Sequence, residues 1–136
     1  MVLSLRRSIG SVIAGLAIAF VLIVAAEVFS MIYHPFPPGA DTSDHAVIKA
    51  QVASYPTWVL AVGAAIWAAA WLATRLGPAR HWSHGLTVGA ILLALAGFDM
   101  AMLPYPIWFP VVIVVAFPLG TILGTRVAQG PPIPKA

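Results

Sequence analysis

Residues 9–32 read IGSVIAGLAIAFVLIVAAEVFSMI, and a single carboxylate, Glu27, is the only charge in the run. As a helix rising 1.5 Å per residue it is about 36 Å long, enough to cross a hydrocarbon core of about 30 Å with some tilt. Arg6 and Arg7 precede it, which is the charged start of a secretory signal. The apolar stretch is nevertheless longer than the roughly 7–15 residues of a signal's hydrophobic region, and no small-x-small cleavage site follows it. The run is therefore expected to remain as a helix of the mature protein.

Three more apolar runs lie downstream. Residues 57–74 follow Pro56 and are stopped by Arg75, Gly77 and Pro78, which are helix end signals. Residues 85–103 precede a reversal forced by Pro104 and Pro106, and residues 107–127 are ended by Gly130, Pro131, Pro132 and Pro134. With 61% hydrophobic and 8% charged residues and a mean hydropathy of +0.97, the chain cannot make a soluble surface, which needs roughly a quarter charged residues. The expected fold class is an all-α membrane protein, a four-transmembrane-helix bundle forming one domain over 1–136. The lipid bilayer is its first partner. The chain has no cysteine, so disulfides and thiolate sites are excluded. Its net charge of +3 is spread singly or in one pair beside helix ends, a pattern that suits anionic lipid headgroups and argues against nucleic acid.

Basic residues near helix ends are retained on the cytoplasmic side. On an alternating four-helix path Arg6, Arg7, Arg75, Arg80, Arg126 and Lys135 share one side and Lys49 alone takes the other, so both termini are expected to be cytoplasmic. Trp58, Tyr105 and Trp108 then fall at an outer aromatic belt, with Trp82 in the inner loop. The outer loop, residues 33–55, opens with YHPFPPG, which cannot be helical. Thr42, Ser43 and Asp44 are N-cap candidates for a short helix through Ala53 that rests on the interface or on the helix ends as a lid.

Lipid supplies no hydrophobic drive for helix association, so small residues that allow close backbone approach carry the packing. Such rows occur at Ala61, Ala65, Ala69 and Ala73, at Ala116, Gly120, Gly124 and Ala128, at Ser11, Gly15 and Ala19, and at Gly85 and Gly89. Gly120 and Gly124 are read as helix-packing positions within the chain. Pro110 costs little in a first turn, whereas Pro118 should kink its helix near mid-membrane.

Glu27 and Asp99 are the only acids in the four runs. Glu27 lies six residues before Tyr33 and Asp99 five before Pro104, which puts both about 8–9 Å inside the same boundary on helices running in one direction. Exposure to lipid is costly for either, so both should face the interior or interfacial water, and the two can meet. They are proton or ion candidates, or else polar groups satisfied by Ser30, Tyr33, His34, Tyr105 or a backbone amide. A weak repeat relates the two positions. Glu27 is followed by Tyr33 and Pro38, and Asp99 by Tyr105 and Pro110, at shared offsets of six and eleven. Glu27, Ser30 and His34 with Asp99 approximate a divalent-cation set. His34 reads instead as an interfacial histidine, because Pro35 disrupts the helix that would align it. His81 and His84 form His-x-x-His with no third ligand and read as polar loop residues. No catalytic residue, metal or cofactor is assigned, since no Ser, His and acid set and no phosphate-cradling loop is present.

The acid late in the first helix, Tyr33-x-Pro35-x-Pro37, Pro56, Trp67, Asp99, Pro104-x-Pro106-x-Trp108-Phe109 and Pro118-x-Gly120 together resemble a group of small bacterial four-helix inner-membrane proteins whose biochemical role is uncharacterised. The resemblance covers nearly the whole chain and implies architecture and a multi-pass place in the bacterial inner membrane. Small multidrug-resistance transporters are also similar in having four short helices and an acid in the first. The long outer loop and the second acid are departures, so no residue role carries over. A non-enzymatic accessory or structural membrane component, with a protein partner or a second copy, is the first functional reading. A small proton- or ion-coupled transporter using Glu27 and Asp99 is the alternative, and an intramembrane enzyme is third.

Overall fold

The structure, a computed structural model, describes residues 2–54, 57–103 and 105–130. Pro56 and Pro104, and the Pro-rich tail with Lys135, lie outside the described residues, as does the side chain of Trp58. The helices are α1 (Val2–Tyr33), α2 (His45–Ser54), α3 (Thr57–Leu76), α4 (Trp82–Met102) and α5 (Trp108–Gln129), with a 3-10 turn at Pro78–Arg80. No strand occurs among the described residues. Helices α1, α3, α4 and α5 are long and apolar enough to cross a membrane.

Helix α1 starts well before residue 9 and carries Arg6 and Arg7 inside it. No Pro or Gly interrupts VLSLRRS, and the Arg7 Nε donates to the Leu76 carbonyl at 3.1 Å, tying α1 to the end of α3. Helix α4 starts at Trp82 rather than Gly85, because the His81 imidazole serves as its cap and accepts from the Ser83 amide at 3.3 Å. Trp82 is thus helical rather than in a loop. Helix α5 extends past Val127 to Gln129 and ends at Gly130, whose φ of 75° continues no right-handed helix. It runs unbroken through Pro118, which lies on an exposed face.

Helix α2 matches the short segment expected after YHPFPPG. The Asp44 Oδ1 accepts from the Ala46 amide at 2.8 Å, the bond an N-cap aspartate makes. One turn earlier Asp41 accepts from the Ser43 hydroxyl at 2.6 Å and the Ser43 amide at 2.9 Å. These bonds hold the Asp41 carboxyl below its ordinary pKa.

Helix α3 is the centre of the packing and touches α1, α4 and α5. Its Ala65, Ile66, Ala69, Ala70, Ala73 and Thr74 are buried, whereas Ala61 is exposed, so its small row faces inward only from Ala65. The small residues of the other helices meet it or its neighbours. A Cβ on Gly15 would lie 2.8 Å from the Ala69 carbonyl oxygen and 2.9 Å from the Ala73 Cβ. One on Gly124 would overlap the Trp67 carbonyl, and one on Gly120 would come within 3.2 Å of the Gly63 carbonyl.

Around Gly85 the fit leaves a polar residue of its own. The Thr74 and Thr125 hydroxyl oxygens close on the space a side chain there would fill, and both are buried with no hydrogen-bond partner. A buried hydroxyl without a partner costs free energy that its removal recovers. Thr125→Val keeps the shape and deletes that oxygen, so its melting temperature in detergent should equal or exceed that of the parent. A fall of several degrees would mean the hydroxyl is bonded.

Candidate functional site

Helices α1 and α4 are clamped together at the end of the molecule that carries Arg6, Arg7, Arg75, Arg80 and Arg126. The clamp includes His84, which is buried rather than a loop residue. Its Nδ1 lies 2.9 Å from the His81 carbonyl and its Nε2 3.1 Å from the Ser8 hydroxyl on α1. A carbonyl can only accept, so Nδ1 carries the hydrogen, and in the neutral ring Nε2 accepts from Ser8. Gly77 admits the ring, since a Cβ there would sit 2.6 Å from Nδ1. About two turns farther along α1, Gly15 lies against Val88 of α4, where a Cβ would be 3.0 Å from the valine methyl.

Toward the other end, the α2 end, the space between α1 and α4 is a cavity of about 600 Å³. Leu16, Phe20, Ile23 and Val24 of α1 face Leu92, Leu95 and Ala96 of α4 across it, over Val62 of α3 and Ile113 and Phe117 of α5. Its polar side chains are Glu27, Asp99 and Tyr105. The two acids therefore share one cavity wall, and both are exposed.

Tyr105 reaches Asp99 because α4 ends directly after it. The Leu103 amide closes the helix on the Asp99 carbonyl at 3.0 Å, and the Tyr105 amide turns back to the Leu103 carbonyl at 3.0 Å. The phenol then donates to the Asp99 Oδ2 at 2.6 Å, while its ring stacks on Phe109 at 4.4 Å. Burial first, then this bond and the charges of Asp99 and Glu27, raise the Tyr105 hydroxyl above the ordinary phenolic pKa. It stays a donor across the physiological range.

The corresponding tyrosine after Glu27 does something else. Helix α1 continues through Tyr33, and six residues along a helix turn a side chain to another face. The Tyr33 ring stacks on Phe29 at 4.3 Å and is exposed. The shared offset of six thus gives an acid–phenol bond at one position only. Ser30 lines a second, smaller cavity of about 120 Å³ under α2 with Gln51, Val52 and Trp108, and Tyr105 and Phe109 border both cavities. The His34 carbonyl accepts from the Gln51 Nε2 at 2.6 Å, which pins α2 to the end of α1. Gln51 was not singled out in the sequence, because a lone amide on a short polar helix carries no pattern. Among the described residues no three His, Asp or Glu side chains come together as a metal set.

Among the described residues the polar groups of the cavity wall are two carboxylates and one phenol, so it presents acceptors and one donor. Comparison with protein-family models, curated proteins and solved structures finds no match to this chain.

Proposed function

We propose that the chain is a non-enzymatic multi-pass protein of the bacterial inner membrane, a four-helix bundle with both ends cytoplasmic, that binds a hydrophobic molecule in the cleft between α1 and α4. The observation that carries the reading is the 600 Å³ apolar cavity with three polar groups at one end. Ligand sites are mostly apolar clefts of about 300–1,000 Å³ with a few convergent polar groups. With the basic end cytoplasmic, the cleft belongs to the outer leaflet.

The direct test is saturable binding. Protein in lipid nanodiscs should take up a neutral environment-sensitive fluorophore at about one per chain, and empty discs should show only linear partition. Linear uptake by both would remove the binding reading and leave a structural component.

The orientation rests on Arg6, Arg7, Arg75, Arg80, Arg126 and Lys135 against Lys49. Reporters fused at Ala136 and inserted between Asp41 and Asp44 should report opposite sides of the membrane. Equal sidedness refutes the topology.

The transport alternative is supported by Tyr105, which separates the small cavity under α2 from the carboxylates. It asks that Asp99→Asn and Tyr105→Phe abolish a proton-coupled flux in a folded protein.

A further inference from the structure

The shape of the cleft fixes its occupant's length. Along α1 its wall runs from Leu16 to Glu27, about 16 Å at 1.5 Å per residue. That is one leaflet, half of a hydrocarbon core of about 30 Å. The middle of α1 falls beside Ala17 and that of α4 at Leu92. With those midpoints at the bilayer centre, the apolar wall begins at the midplane, and Glu27 stands about 14 Å and Asp99 about 10 Å out, both nearer the hydrocarbon boundary than counting from Tyr33 and Pro104 gives. The cleft has the depth and the polarity gradient of one lipid chain with its head.

The chemistry of the head follows from the groups left over. Tyr105 satisfies one Asp99 oxygen, Oδ2. A carboxylate is acceptor-only and has four lone-pair sites on two oxygens, so Oδ1 and both Glu27 oxygens call for donors. Among the described residues no Lys, Arg or His lines the cavity to supply them. An anion beside two carboxylates is repelled and a neutral hydroxyl offers one donor, whereas a primary ammonium offers a positive charge and three donors.

We infer, on the reading that the cleft is a ligand site, that its occupant is a single-chain amphiphile with a primary ammonium head, seated with the ammonium on Glu27 and Asp99 and the chain between α1 and α4. One chain rather than two is the match to a 600 Å³ space within the range of small-molecule sites.

The test uses the full chain in phosphatidylcholine nanodiscs, which carry no primary ammonium, with dodecylamine, dodecanol and dodecanoate as probes and native mass spectrometry counting adducts per chain. Dodecylamine should bind at one per chain, dodecanol at least tenfold more weakly, and dodecanoate not measurably. In the double variant Glu27→Gln, Asp99→Asn, amine affinity should drop to that of the alcohol while the melting temperature stays within a few degrees of the parent's. The preserved melting temperature shows that the variant is folded, and a double variant that keeps the parent's amine affinity overturns the inference. Equal binding of amine and alcohol by the parent overturns the ammonium inference and leaves the cleft reading standing. Loss of fluorophore uptake by the parent itself overturns the cleft reading. Displacement of dodecylamine by phosphatidylethanolamine added to the discs overturns the single-chain part and makes a two-chain aminolipid the occupant.

Discussion

Gly124→Ala, the smallest possible change, should lower the melting temperature in detergent by several degrees. The new methyl would overlap the Trp67 carbonyl and lie 3.1 Å from the Trp71 nitrogen. Both are backbone atoms of α3, which no rotamer change can move. The helices must separate, and overpacking of this kind costs about 1–3 kcal/mol. Against it stands the gain of about 1 kcal/mol or less from replacing a helical glycine with alanine. Gly97→Ala isolates that second effect, because a Cβ there meets nothing within 4 Å, and its melting temperature should rise slightly or hold. Gly120→Ala falls between, with the Gly63 carbonyl at 3.2 Å. The order Gly97, Gly120, Gly124 from most to least stable variant is the measurable statement. Equal melting of the Gly97 and Gly124 variants would mean that α5 does not pack on α3 through this row.

The second large effect concerns the cleft. Ala96→Trp places an indole in the cavity from the α4 wall, where Leu16, Phe20 and Ile113 are the other surfaces. Filling existing space carries little of the strain that overpacking a full core does, so the variant should melt within a few degrees of the parent. Fluorophore affinity in nanodiscs should drop at least tenfold, because the indole and the ligand compete for the same volume. The pairing of preserved melting with lost binding distinguishes occupation of the cleft from general damage to the fold. Undiminished uptake by the Ala96→Trp protein would place the fluorophore on the lipid-facing surface and dissolve the proposed site.

These two variants also divide what was legible from what was not. The rows of small residues are a period-four pattern, readable in one dimension because helical spacing alone puts Ser11, Gly15 and Ala19, or Gly120, Gly124 and Ala128, on one face. Which helix each row meets is not in the pattern. Gly120 and Gly124 rest on the α3 backbone, Gly15 on Ala69 and Ala73, and Gly85 on two threonines. Ala61 belongs to its row by spacing yet is exposed.

The sequence by itself determined that four segments must be helices of membrane-spanning length, because composition and run length leave the backbone no other way to bury itself in lipid. It also singled out the two carboxylates of those segments, Glu27 and Asp99, each within two turns of the C-terminal end of its helix. Only the tertiary structure decided that Glu27 and Asp99 line the same cavity, that Tyr105 rather than Tyr33 bonds an acid, and that His84 joins α1 to α4. Each of these depends on how far two helices are rotated and splayed. A helix's own periodicity is blind to that rotation, because the packing of partners distant in the chain sets it.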